Sequence, residues 1–207
     1  MSYLNIIILS LLTILLWLPL PAIALPLPTI PATSDTPVAQ ISAEDFSQAG
    51  VDKMLSQDYT GAIEDFIQAI RLDPNNAKAY SNLGLARATI GDQIGAISEF
   101  SQALNLNPEL STAYYNRGFI RSKLQDYQGA LLDLNQAIRL NPQDADAYQC
   151  RYFVRYTLGP QGVIEDLHQA AQLYLDQGRL EEYQGAVNTI NQLQKPTNFL
   201  GWEKILI

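Results

Sequence analysis

Residues Tyr114–Gln143 read YYNRGFIRSKLQDYQGALLDLNQAIRLNPQ, and Tyr80–Glu109, 34 residues earlier, read YSNLGLARATIGDQIGAISEFSQALNLNPE. The two stretches agree in several independent series. Pro74, Pro108 and Pro142 are each 34 apart, and so are Asp58, Asp92 and Asp126. The same spacing relates Gly61, Gly95 and Gly129, Ala62, Ala96 and Ala130, Ala69, Ala103 and Ala137, and Gly50, Gly84 and Gly118. Chance does not align six series at one period, so the chain is a repeat array.

Each unit divides into two helical patterns. In the unit 111–144, Tyr114, Gly118 and Arg121 share a stripe at i, i+4, i+7, and Tyr115, Phe119 and Ser122 share the next. Ala130, Leu134, Ala137 and Ile138 then form the i, i+4, i+7, i+8 stripe of an amphipathic helix. Asp126 stands where an N-cap carboxylate belongs. Pro142 stops the helix, because proline lacks the amide donor and clashes with the preceding turn. Gly118, Ala130 and Ala137 predict two helices in close approach. One such pair cannot bury its own apolar surface, whereas stacked pairs can. The expected fold is all-α, a superhelical stack of antiparallel helix pairs.

The order Tyr114, Gly118, Ala130, Ala137, Pro142 resembles the signature of the tetratricopeptide repeat, and Tyr80, Gly84, Ala96, Ala103, Pro108 repeats it. The first unit follows with Phe46, Gly50, Ala62, Ala69, Pro74. The resemblance implies units at 43–76, 77–110 and 111–144 in a right-handed superhelix. A degenerate fourth unit, 145–178, keeps Tyr148 but has Tyr152 for the glycine, Val163 for the first alanine and Leu175 for the proline. It also lacks one residue around Gly159-Pro160. After Gly178, Tyr183, Ala186, Val187, Ile190 and Leu193 fall at helical spacing, which predicts a capping helix over the open end. The apolar tail 198–207, NFLGWEKILI, is expected to pack back on that cap, with a membrane or partner contact as the alternative. The wording NRG and DYQGA resembles arrays frequent in cyanobacteria.

The chain ahead of the array has a different composition. Ile6–Pro21 is an apolar run ending before Ala22-Ile23-Ala24, a small-x-small pattern typical of signal-peptidase cleavage. Against a cleaved signal stands the absence of any Lys or Arg before Lys53. Residues 1–24 are therefore expected to be a signal peptide or an uncleaved N-terminal anchor. Both imply export, to a periplasm, a thylakoid lumen or the exterior, or tethering to a membrane. Pro26, Pro28, Pro31 and Pro37 make 25–42 an extended linker.

The 207 residues carry a formal net charge of -8, which argues against nucleic-acid binding through phosphate neutralisation. Little in the sequence supports catalysis. His168 is the only histidine and sits on a polar helix face, with no Cys or paired carboxylates to make a metal site or a nucleophilic arrangement. Cys150, the only cysteine, excludes an intrachain disulfide and has no evident base. No catalytic residue, metal or cofactor is expected. Arg87, Arg121 and Arg155 recur at 34 residues, with Arg117 and Arg151 one turn earlier. They either form a cationic track or pair with Asp65, Glu99, Asp133 and Asp166 on the second helices, because an unpaired charge in a packed pair is costly.

The resemblance further implies that the inner face comes from the first helix of each unit. Carried over, this face holds Val51, Met54, Leu85, Tyr115, Phe119, Phe153 and Tyr156, apolar and aromatic toward its C-terminal half. Such clusters mark binding surfaces. The expected function is a non-enzymatic scaffold that holds a peptide or helix of a partner protein, in keeping with assembly of a membrane or envelope complex. The alternative is a self-associating array whose groove is covered by its own C-terminal segment or by another copy. Relatives that grip a C-terminal carboxylate carry Lys and Asn at defined positions. Here Asn82 fits, but Ser47, Val51, Thr112 and Asn116 replace the rest, so a carboxylate clamp is not expected.

Overall fold

The computed structural model describes residues 41–159 and 162–195. The expected signal or anchor segment 1–24, all but the last two residues of the linker and the apolar tail 198–207 lie outside the described residues. Among the described residues there are nine α-helices and no strand. They are α1 (Ala43–Leu55), α2 (Tyr59–Leu72), α3 (Ala77–Thr89), α4 (Gln93–Leu106), α5 (Ser111–Lys123), α6 (Tyr127–Leu140), α7 (Ala145–Leu158), α8 (Val163–Asp176) and α9 (Leu180–Leu193). Odd and even helices pair as α1/α2, α3/α4, α5/α6 and α7/α8, and each pair stacks on the next to form a solenoid.

Local chemistry sets the helix ends. Asp58, Asp92 and Asp126 are N-caps, accepting from the amides of Gly61, Gly95 and Gly129 at 3.0, 2.9 and 3.0 Å. A Cβ on any of these glycines would lie 2.1–2.3 Å from the capping carboxylate, so cap and glycine recur together. At the other end Asp73, Asn107 and Asn141 precede prolines, which disfavour helical backbone in the residue before them. All three leave the helix with φ between -139° and -131°. Each side chain then accepts from the amide two residues on, closing the turn.

The core runs along the stack. Phe66, Phe100 and Leu134 are fully buried at equivalent positions of the second helices. They press on the small residues of the first helices. A Cβ on Gly50 would come within 2.6 Å of the Phe66 ring, one on Gly84 within 3.0 Å of Phe100, and one on Gly118 within 3.1 Å of Leu134. In the fourth pair Tyr152 replaces this glycine, and its ring is half-buried against Leu167, Ala171, Ala186 and Ile190. The departure from the pattern is thus part of the contact between α8 and α9.

The arginine series resolves as pairing. Asp133, buried, accepts from Arg117 Nε and Nη2 at 2.9 and 2.7 Å and from Arg121 Nη1 at 2.8 Å. Asp166 does the same for Arg151 and Arg155, at 3.1, 2.6 and 3.0 Å. Arg87 faces Glu99 at 3.4 Å. In the first pair Lys53 takes the arginine's place against Asp65 at 2.7 Å, a member of the series that the arginine pattern alone omits. The alternative of a cationic track is overturned, because each of these cations is held by a carboxylate of the second helices.

Candidate partner-binding groove

The first helices α1, α3, α5 and α7 present one face lined by successive cavities. Packing demands small or apolar residues where each of these helices meets its partner helices, and the neighbouring stripe is only partly taken up by the core. At the first end a cavity of about 400 Å³ is lined by Val51, Met54, Leu55, Tyr59 and Leu85, with Asn82 and Thr89 at its margin. A smaller one of about 240 Å³ joins Leu85 and Ala88 to Tyr115, Asn116 and Phe119. The largest of the three, about 490 Å³, lies among Tyr115, Phe119, Tyr127, Cys150 and Phe153, edged by Lys123, Asp146 and Gln149.

Val51, Met54, Leu85, Tyr115, Phe119 and Phe153 are thus distributed over these three cavities. Leu85, Phe119 and Phe153 are 41, 38 and 53% exposed. Val51 and Met54 are half-buried, with one side on the Ala62, Phe66, Leu83 core. Tyr156 lies one turn beyond Phe153, its ring 6.1 Å from that of Tyr152. Asn82, Asn116, Tyr59, Tyr127 and Cys150 also line the face. Asn82, Asn116 and Cys150 share one slot at 34-residue spacing, and that period was the signal available for placing them in the groove. Tyr59 and Tyr127 come from the second helices, which a reading confined to first helices misses.

Tyr115 and Phe119 stack with ring centroids 6.2 Å apart, and Lys123 Nζ stands 4.5 Å over the Phe119 ring. Burial pushes the Tyr115 hydroxyl up to about 12, with the Cys150 thiol adding to the effect. Burial likewise pushes Cys150 up to about 11. Thiolate is the nucleophilic form, so this cysteine is a protonated, inert wall of the cavity at neutral pH. His168 is exposed on α8. No cluster of three or more metal-ligating side chains occurs among the described residues.

One corner of the groove is locked from behind. Tyr174, fully buried on α8, donates to Asp146 at 2.9 Å and is hydrogen-bonded to Gln149. Arg179, at the entry to α9, reaches Asp146 at 2.9 and 3.1 Å and lies 4.5 Å over the Tyr174 ring. Burial alone would raise the Asp146 carboxyl, but the hydrogen bonds from Arg179 and Tyr174 outweigh it and hold the group below its ordinary 3.8. Helix α9 packs against α8. The described C-terminal helices leave Phe119 and Phe153 open.

Family models for the repeat match three stretches, the first two overlapping, that together span residues 53–144. The model described as TPR repeat matches residues 53–91, and models described as tetratricopeptide repeat match 77–110 and 111–144. This chain carries tetratricopeptide repeats. The array continues past the matched stretches, since α7 and α8 form a further pair and α9 closes on it. Among solved structures the tetratricopeptide array is similar to that of MamA protein, at 24% identity over 78% of this chain and 95% of that one, with a TM-score of 0.59. The first repeat domain of Spaghetti (RPAP3), described as bound to the HSP90 peptide SRMEEVD, is 24% identical over 56% of this chain and 93% of its own, with a TM-score of 0.56. The Arabidopsis OM64 TPR domain is 24% identical over 56% and 96%, with a TM-score of 0.55. These likenesses show the fold. No curated protein matches the chain.

Proposed function

We propose that the chain is a non-enzymatic protein-interaction module that holds a segment of a partner protein along the face of α1, α3, α5 and α7. The observation that carries this reading is the row of apolar cavities in which Phe119 and Phe153 stand open to solvent. Exposed aromatic side chains in a concave, partly dry site are what dominates binding energy at interfaces. The likeness to Spaghetti, described with a bound peptide, supports a peptide-type ligand. That peptide ends in EEVD, whereas Ser47, Val51 and Thr112 offer no cation to a terminal carboxylate, so the ligand class here is different. Export by the segment 1–24, and a role in assembling a membrane or envelope complex, complete the proposal. Mature protein beginning at Leu25 would support a cleaved signal.

A photo-crosslinking residue placed at Phe153 tests the groove, with Ile94 on α4, 71% exposed, as the control position. A partner adduct at Phe153 that is absent at Ile94 and lost on Phe119→Glu is the expected result. Equal adducts at both positions would remove the groove from the reading. An adduct of the chain with itself would favour the self-associating alternative.

A further inference from the structure

Of the three cavities along the groove, the two larger form apolar cups at its ends, and the smaller one joins them between α3 and α5. The first lies between α1 and α3, around Leu55 and Leu85, and the second between α5 and α7, around Phe119 and Phe153. Neighbouring packed helices stand about 10 Å apart, so two intervals along the stack separate the cups by about 20 Å. An extended chain rises about 3.3 Å per residue, and about six residues cover that distance. An even number also matters, because side chains alternate and only i, i+2, i+4, i+6 face the same way.

Asn82 lines the first cup and Asn116 the cavity between the cups, neither with a side-chain hydrogen bond among the described residues. An extended ligand has unpaired backbone N–H and C=O groups, and an amide side chain both donates and accepts. A helical ligand satisfies its own backbone and leaves such amides unused. Beside the second cup, Lys123 rests on the Phe119 ring with no carboxylate in ion-pair reach among the described residues. By contrast Lys53, Arg87, Arg117, Arg121, Arg151, Arg155 and Arg179 each face one, and Lys78, also without an ion pair among the described residues, lines a cavity at the first end that has no aromatic side chain. A cation left over beside an aromatic cup complements a carboxylate adjacent to the residue that fills it.

We propose that the groove takes an extended peptide segment bearing two large apolar side chains six residues apart, the second flanked by Asp or Glu. The inference rests on the groove reading and specifies its ligand. The test applies the full chain to an immobilised array of Ser/Gln peptides carrying Leu and Phe at spacings of about four to eight residues, with Asp, Ser or Lys beside the Phe. Binding is expected to peak at a spacing of six with Asp, about tenfold above a spacing of four. Leu55→Ser and Phe153→Ser, both at exposed positions that leave the core intact, should each abolish the peak while helical circular dichroism is unchanged. Lys123→Gln should remove the preference for Asp over Ser and leave the preferred spacing unchanged. Binding that ignores spacing yet is lost in Phe153→Ser would overturn the two-cup inference and leave the groove standing. Binding unaffected by Phe153→Ser would remove both. No binding at any spacing would also overturn the inference, with the crosslink at Phe153 deciding the groove separately.

Discussion

Gln57, Gly91 and Gln125 occupy one slot, the turn between the two helices of a pair, and all three have positive φ, at 65°, 91° and 65°. The left-handed conformation is needed because the chain must reverse within three residues while the next amide still reaches back to the helix, as Asp92 does to Arg87 O at 2.9 Å. Glycine adopts this backbone without strain, and glutamine does not. A Cβ on Gly91 would meet nothing within 4 Å, so Gly91→Ala isolates the backbone term. It is expected to cost about 1 kcal/mol. Gln125→Gly is expected to stabilise by less than about 1 kcal/mol, since relief of strain is offset by added freedom of the unfolded chain. Urea midpoints at constant slope would read both. A shift of the wrong sign in either variant would show that side-chain contacts, not φ, govern the slot.

The two C-terminal junctions between helix pairs are held differently from the first. Arg117 Nη1 donates to Ser101 on α4 at 2.9 Å, and Arg151 Nη1 to Asn135 on α6 at 2.8 Å, so each arginine joins its own pair to the preceding one. In the corresponding slot of α3 stands Leu83, buried in the cluster with Ala62 and Phe66. Asp133 serves two guanidinium groups, and its loss leaves Arg117 with Ser101 alone and Arg121 with Asp126 at 3.5 Å. Asp133→Ala is expected to cost about 3 kcal/mol, the usual scale for breaking a buried pair. Arg117→Leu reproduces the arrangement of the second unit, where Arg87 alone pairs with the second-helix carboxylate Glu99 while also reaching Asp92, and is expected to cost less than about 1 kcal/mol. Thermal unfolding of the two variants side by side checks the order. Equal losses would mean that the arginine itself, and not the orphaned charge, carries the stability.

At the scale of the whole array, stability in a solenoid is a sum over neighbours, so an end with one neighbour is the weakest place. The C-terminal end is closed by α9 packing on α8 and by the Asp146–Arg179 contact. A carboxyl held below its unfolded value adds stability above the unfolded pKa and loses it as pH falls through the folded value. The Arg179 contribution should therefore be complete at neutral pH and vanish on acidification below about pH 4. Both partners are more than a third exposed, so screening limits it to about 0.5 kcal/mol. Arg179→Gln is expected to lower the thermal midpoint at pH 7 and to match the parent near pH 2.5. A difference that persists at low pH would mean that stacking on Tyr174, rather than charge, is what Arg179 supplies.

Periodicity alone made the helix pairs, the capping aspartates, the terminating prolines and the glycine beneath each large core residue legible, because each is a local demand of the backbone or of one helix on its partner. The degenerate fourth unit was legible only in part. Tyr152 reads as a lost glycine in sequence, yet it is a packing residue in the fold, since its neighbours Ala186 and Ile190 come from a helix outside the repeat. The same holds for the groove. Its first-helix residues follow from the repeat, but Tyr59 and Tyr127 enter from second helices, and Asp146 is turned toward Arg179. Which cation remains beside the aromatic cup depends on which carboxylates the folded stack brings within reach of the others. Sequence determined the repeat and its local stops, because those are interactions between near neighbours along the chain. Tertiary structure decided the cups and Lys123, because burial and pairing depend on residues that are distant in sequence and close in space.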